Sequence, residues 1–146
     1  MTPSPVDENV VGARLRVLRE LLEDLDAAGD VTVVRLEADR LLRHAVERVL
    51  TQLVELAVSI NSHVAGSLTG RSPATYRESF AAAAEAGVIS AELAAELAPS
   101  AGLRNVLVHE YLAIDLRIVA GSVPRARAAY GAYVRAVARY LTSRTT

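Results

Sequence analysis

Apolar residues recur every three or four positions along nearly the whole chain, and that spacing predicts helices. Val11, Leu15, Leu18, Leu22 and Leu25 mark a first helix, from just after Pro5 to about residue 28. Gly29 follows, where a left-handed conformation ends a helix easily. Leu36, Leu42, Val46, Val49, Leu53, Leu56 and Ile60 predict the longest helix, from residue 32 or 33 to 64. Its polar positions His44, Glu47, Thr51, Glu55, Ser59 and Ser62 step by three or four and form one narrow strip, so the helix is buried on most sides. That strip is either a solvated edge, or Glu47 or Glu55 lies against another helix and orients a cation there.

Residues 66–72 read as a polar loop. Ser72-Pro73 then looks like a cap followed by a proline in the first turn, with Tyr76 and Phe80 facing inward and Gly87 closing the helix. Ser90 caps a short helix over residues 91–97, which Pro99 and Ser100 end. A further helix follows from about residue 101 to 119, and Gly121-Ser122 breaks it. Pro124 opens the last helix, which carries Tyr130, Tyr133, Val137 and Leu141. No repeat or linker interrupts the series, so one all-α domain over residues 1–146, built around a single long helix, accounts for the chain.

Composition sharpens this picture. Hydrophobic residues make up 51%, with one Phe and no Trp, a palette that suits close-packed helices. Cysteine is absent, which excludes disulfides and thiolate metal sites. Charged or polar residues interrupt every apolar run before membrane-spanning length, and the first five residues lack the basic start of a secretory leader. The expectation is a soluble, cytoplasmic protein. The net charge of −1 argues against indiscriminate nucleic-acid binding. After Tyr111, however, six arginines (Arg117, Arg125, Arg127, Arg135, Arg139, Arg144) face one acid, Asp115, whereas Glu20, Glu23, Asp24, Asp26 and Asp30 crowd the first third. The asymmetry either attracts phosphate locally or draws the two ends of the chain together.

The chemistry concentrates in Leu103-Arg104-Asn105-Val106-Leu107-Val108-His109-Glu110-Tyr111. On one continuous helix Arg104 and His109 would lie about 140° apart, with Tyr111 about 20° from Arg104 and about 10 Å further along the axis. Asn105 falls between Arg104 and His109. Val108 and Leu112 intrude into this polar half, so the face is expected to meet another surface. Arginine offers a planar, permanently charged fork suited to phosphate oxygens. Histidine can take and give a proton near neutral pH. Together they suit attack of an RNA 2′-hydroxyl on the adjacent phosphate. The bland alternative is a packed histidine beside a solvated arginine. His44, His63 and His109 are scattered and lack the paired spacing of a metal site, and no glycine-rich phosphate loop occurs.

A wider string resembles the HepT toxins of the HEPN superfamily of small helical ribonucleases. It comprises Pro73-Ala74-Thr75-Tyr76-Arg77-Glu78-Ser79-Phe80, Glu85-Ala86-Gly87-Val88-Ile89, Ala101-Gly102 running into the Leu103–Tyr111 stretch, and Ile114-Asp115. Glu47-Arg48, Gln52-Leu53-Val54-Glu55-Leu56-Ala57, Asn61 and His63-Val64 also look like that family, so the likeness spans roughly residues 35–120. The resemblance implies an HEPN-type bundle and a homodimer in which the motif helices of two chains build one cleft. It implies metal-independent RNA cleavage without a cofactor, with Arg104 on the scissile phosphate, His109 as base or acid, and Asn105 holding phosphate or histidine. It further implies a partner, an MntA-like nucleotidyltransferase antitoxin that adenylylates Tyr111 from ATP and magnesium. A second reading is a non-catalytic HEPN module that binds nucleotide, RNA or such a partner.

Overall fold

A computed structural model describes residues 5–144, so most of the first five residues and the outer limits of the 1–146 domain lie outside the described residues. Among the described residues there are seven α-helices and one 3-10 turn, and no strand. Helix α1, Glu8–Ala27, starts where Asp7 Oδ1 accepts the amides of Asn9 and Val10 at 3.0 and 3.2 Å. Gly29, at φ 71°, turns the chain away from it as expected. A short α2, Val33–Ala38, and a long α3, Arg40–Thr69, stand in place of one continuous helix. The break is Asp39, whose backbone is extended and whose Oδ1 accepts from Leu42 N–H at 3.0 Å, ending one helix and capping the next. Apolar spacing is blind to a one-residue interruption of this kind.

Helix α3 also outruns its expected end. It continues through Gly66 to Thr69 and stops at Gly70, at φ 76°. The small residues Ala65 and Ser67 are buried there, so packing favours the helix over a loop. Helix α4, Tyr76–Glu85, begins at Thr75, not at Ser72-Pro73. Thr75 Oγ1 accepts from Glu78 N–H at 3.0 Å, and Thr75-x-x-Glu78 is the pattern that caps a helix reciprocally. Gly87 closes α4 at φ 82°, and Ser90 caps α5, Ala91–Leu97, both as expected.

Pro99 and Ser100 open the next helix, α6, Pro99–His109, where the spacing predicted a stop. Proline loses nothing in a first turn, where its missing amide has no helical acceptor. The larger correction lies at the other end. The helix expected to reach residue 119 stops at His109. Glu110 adopts φ −124° and ψ 33°, Tyr111–Ala113 form a 3-10 turn, and Ile114 is extended. Helix α7, Leu116–Arg144, then runs unbroken through Gly121, Ser122 and Pro124. A proline inside a helix costs about 3 kcal/mol. Val119, Val123, Tyr130, Tyr133 and Val137 are all buried on one face across Pro124, at roughly 1.5–3 kcal/mol each, so burial wins.

Helix α3 sits at the centre and packs against α1, α2, α4, α6 and α7. Leu53, Ala57, Ile60 and Val64 from α3 meet Val11, Leu15 and Leu18 of α1, Phe80 of α4, and Val123 and Val137 of α7 in one core. Arg127 of α7 donates to the Leu25 and Gly29 carbonyls and ion-pairs with Asp26 at 3.4 Å, which ties the basic C-terminal part to the acidic first helix. Among the described residues, no helix is long and apolar enough to cross a membrane.

One polar cluster lies inside this core. Asn61 is fully buried; its Oδ1 accepts from the Tyr133 hydroxyl at 2.7 Å and its Nδ2 donates to Ser79 Oγ at 3.2 Å. Ser79 Oγ donates to the Tyr76 carbonyl at 2.7 Å. The chain of bonds joins α7, α3 and α4. Tyr133→Phe removes the donor and leaves Asn61 Oδ1 buried without a partner, which is expected to cost about 1–3 kcal/mol. Urea unfolding followed by circular dichroism measures it, and a loss under about 0.5 kcal/mol would contradict the structural weight given to this cluster.

Candidate active site

Arg104 and His109 share α6, five residues apart, so about 7.5 Å separates them along the axis and about 140° around it. The arginine is held on three sides. Its Nη2 donates to Glu55 Oε1 of α3 at 3.2 Å, and its Nη1 donates to Asn105 Oδ1 at 3.2 Å. Its Cζ stands over the Tyr76 ring of α4, 4.7 Å from the centroid. Side-chain exposure is 18% for Arg104 and 38% for Glu55, so the pair is half in water and its energetic weight is small; its effect is on orientation. Arg104 Nε is buried with no acceptor.

Of the two acids on the polar strip of α3, Glu55 is the one beside Arg104. Glu47 lies two turns away and pairs with Arg43 at 3.8 Å. The strip as a whole divides among neighbours. Thr51 is buried, Ser59 Oγ accepts from Arg14 Nε of α1 at 2.7 Å, and His44 faces solvent. His63 is occupied elsewhere, its Nε2 accepting the Asp7 amide at 2.9 Å. The sequence marks Tyr76 as an inward-facing residue within the string that carries the resemblance, without a role at the site. Its place at the first turn of α4, beneath an arginine on α6, has no signal in local spacing.

His109 is exposed at the last position of α6, and its side chain makes no hydrogen bond among the described residues. Glu110 is the residue that ends the helix, its amide bonding back to the Val106 carbonyl at 2.9 Å. Tyr111 therefore does not stand above Arg104 on a common helix. It occupies the 3-10 turn that begins just after Glu110, 66% exposed. Its chain neighbours Leu112 at 91% and Val108 at 37% are exposed apolar residues, as is Ile118 of α7 at 57%. The turn is bounded by Asp115, whose Oδ1 accepts Arg117 N–H at 2.9 Å at the start of α7. The Arg117 guanidinium hydrogen-bonded to it holds the Asp115 carboxyl below the usual aspartate range.

A groove of about 360 Å³ runs along another side of α6, lined by Leu50, Val54, Leu103, Val106, Ile118 and Tyr130 among others, but by none of Arg104, His109 and Tyr111. Burial raises the Tyr130 and Tyr133 phenols, so neither provides a phenolate near neutrality. Among the described residues, no cluster of His, Asp and Glu gathers as a metal ion would require.

A helical bundle with an arginine and a histidine on one helix, and an exposed tyrosine just beyond, has the fold of the HEPN toxins. The backbone matches the tri-AMPylated Shewanella oneidensis HEPN toxin, solved in complex with its MNT antitoxin, at a TM-score of 0.79 and 20% identity, over 89% of this chain and 97% of that one. It matches the Bacillus subtilis cytosolic protein YutE, of unknown function, at a TM-score of 0.82 and 17% identity, over 95% and 93% of the two chains. In sequence, the tRNA nuclease HepT of Aphanizomenon flos-aquae (strain 2012/KM1/D3) is 29% identical over 136 residues, 93% of this chain and 92% of that protein. The profile of the HepT-like ribonucleases matches residues 18–137, and the chain belongs to that family.

Proposed function

We propose that this protein is the toxin of a toxin–antitoxin pair, an endoribonuclease that cuts RNA without a metal ion, with tRNA as its substrate class. The observation that carries the reading is the pre-set Arg104 guanidinium, held by Glu55, Asn105 and Tyr76, on the same helix as an unengaged His109. In the reaction the RNA 2′-oxygen attacks the adjacent phosphorus as a base takes its proton. The bond from phosphorus to the 5′-oxygen breaks and an acid protonates that oxygen, giving a 2′,3′-cyclic phosphate and a 5′-hydroxyl. Arg104 stabilises the charge that grows on the phosphate, and Asn105 holds phosphate or imidazole. His109 exchanges the protons. The relative's name as a tRNA nuclease supports the choice of substrate.

The reaction needs a base and an acid together, and one imidazole serves as one of them at a time. A homodimer that pairs two α6 helices supplies two. The exposed Val108 and Leu112, next to His109 in the chain, support such a pairing.

Tyr111 is the regulatory residue in this reading. A nucleotidyltransferase antitoxin transfers AMP from ATP: the phenol oxygen bonds to the α-phosphorus, pyrophosphate leaves, and the phenol proton passes to solvent. The S. oneidensis toxin, AMPylated and bound to an MNT antitoxin, supports this, as does the exposure of the Tyr111 ring. Because Tyr111 lies two residues after His109, the added nucleotide crowds the imidazole first, and its negative charge also reaches toward Arg104.

Three outcomes are expected. Purified protein should cleave tRNA equally with and without a chelator, and His109→Ala or Arg104→Ala should each lower the rate by on the order of 10²-fold or more with the fold intact. Undiminished cleavage by His109→Ala sinks the mechanism, and loss of cleavage in chelator sinks metal independence. Light scattering at micromolar concentration should report a dimer; a monomer that still cleaves would rule out the shared cleft. Tyr111→Phe should keep cleaving and stay toxic, yet gain no AMP by mass spectrometry with the cognate nucleotidyltransferase and ATP. An inactive Tyr111→Phe protein, or AMP on another residue of it, would show that the tyrosine has been given the wrong role.

A further inference from the structure

Of the three partners of Arg104, Glu55 and Tyr76 affect its charge differently. The Glu55 carboxylate neutralises it and competes with any phosphate for the same nitrogen. The Tyr76 ring, 4.7 Å below the guanidinium carbon, attracts the cation and leaves its net charge intact. The ring is itself firmly placed. Tyr76 is the first residue of α4 after the Thr75 cap, and its carbonyl accepts from Ser79 Oγ, which is tied through buried Asn61 to Tyr133. The Tyr76 hydroxyl makes no hydrogen bond among the described residues, so its face and not its oxygen is what the site uses. That face also offsets part of the desolvation of Arg104 Nε, buried with no acceptor of its own.

We propose that Tyr76 is a positioning residue for RNA cleavage: its ring face fixes the plane of the Arg104 guanidinium so that the nitrogen edges meet the scissile phosphate when Glu55 gives way. The assignment rests on the reading of Arg104 as the phosphate ligand. An aliphatic side chain of similar size covers the same surface but presents no negative face, so it fills the space without orienting the cation.

The test measures tRNA cleavage by wild type, Tyr76→Phe, Tyr76→Leu and Tyr76→Met, with Arg104 intact and in the Arg104→Ala background, alongside melting curves. Tyr76→Phe should stay within about twofold of wild type, because the ring remains. Tyr76→Leu should lose between about 10-fold and about 100-fold, the scale on which misplacing a reacting group is felt. Tyr76→Met repeats that arm should the leucine protein melt early. In the Arg104→Ala background the same changes should cost less than about twofold, since no guanidinium is left to orient. Equal losses in both backgrounds would make Tyr76 plain structural support and overturn the proposal. So would a loss above about 10-fold in Tyr76→Phe. Full activity of Tyr76→Leu beside a crippled Arg104→Ala overturns it too, while sparing the functional reading. Undiminished activity of Arg104→Ala removes the functional reading, and the positioning role with it.

Discussion

A helix enclosed by five others can carry a polar side chain inward only if every atom of that side chain is answered, and Asn61 meets this condition. Its oxygen takes the Tyr133 proton and its nitrogen gives one to Ser79, so α7 and α4 are fixed in register on α3 by directional bonds. The apolar contacts around them would tolerate sliding; the amide does not. The placement of α4 follows from that register, and with it the first-turn ring of Tyr76. The geometry around Arg104 thus inherits its precision from a hydrogen-bond chain in the core.

Helix α6 is positioned differently. It packs on α3, α4 and α5, and Ser100 at its start accepts the Tyr130 hydroxyl of α7 at 2.7 Å while donating to the Leu97 carbonyl. Its start is therefore pinned, while its C-terminal turn carries His109 out to solvent. Arg104 lies between the two regimes, with a buried stem, a half-exposed counter-ion and one nitrogen without an acceptor. An unsatisfied donor is costly in a core, and in a cation proposed to receive phosphate it is a cost held for function.

The sequence made the class of fold legible because apolar periodicity sums over many residues: α1, α5 and the buried face of the last helix followed from it. Helix ends were less legible, because each depends on a single bond worth about 1 kcal/mol. Asp39 divided the long helix, and Pro99 opened α6 where a stop was expected. At Pro124 the error ran the other way, since a strong local breaker yields when the residues around it bury enough surface. Arg104, Asn105, His109 and Tyr111 were legible as one short string. Glu55 was legible as one of two candidate acids on the strip, and only the tertiary structure separates it from Glu47. Tyr76 was legible only as a buried aromatic, since nothing local ties a residue of α4 to a cation on α6.

The break after His109 bears on how easily Tyr111 can be reached by a modifying enzyme. A tyrosine within a helix is locked by bonds on both sides of its turn, and an enzyme that needed to draw it into a cleft would first have to unwind the helix. Tyr111 sits instead in a turn held by little more than the bond from Ala113 N–H to the Glu110 carbonyl at 3.0 Å. The helix ends on either side have their own closures, at Glu110 and at Asp115. The segment can thus be pulled outward for about the cost of one hydrogen bond while the bundle stays intact. Under the function proposed above, the antitoxin need not intercept a nascent chain: it can disarm toxin that is already folded, and leave a folded protein behind.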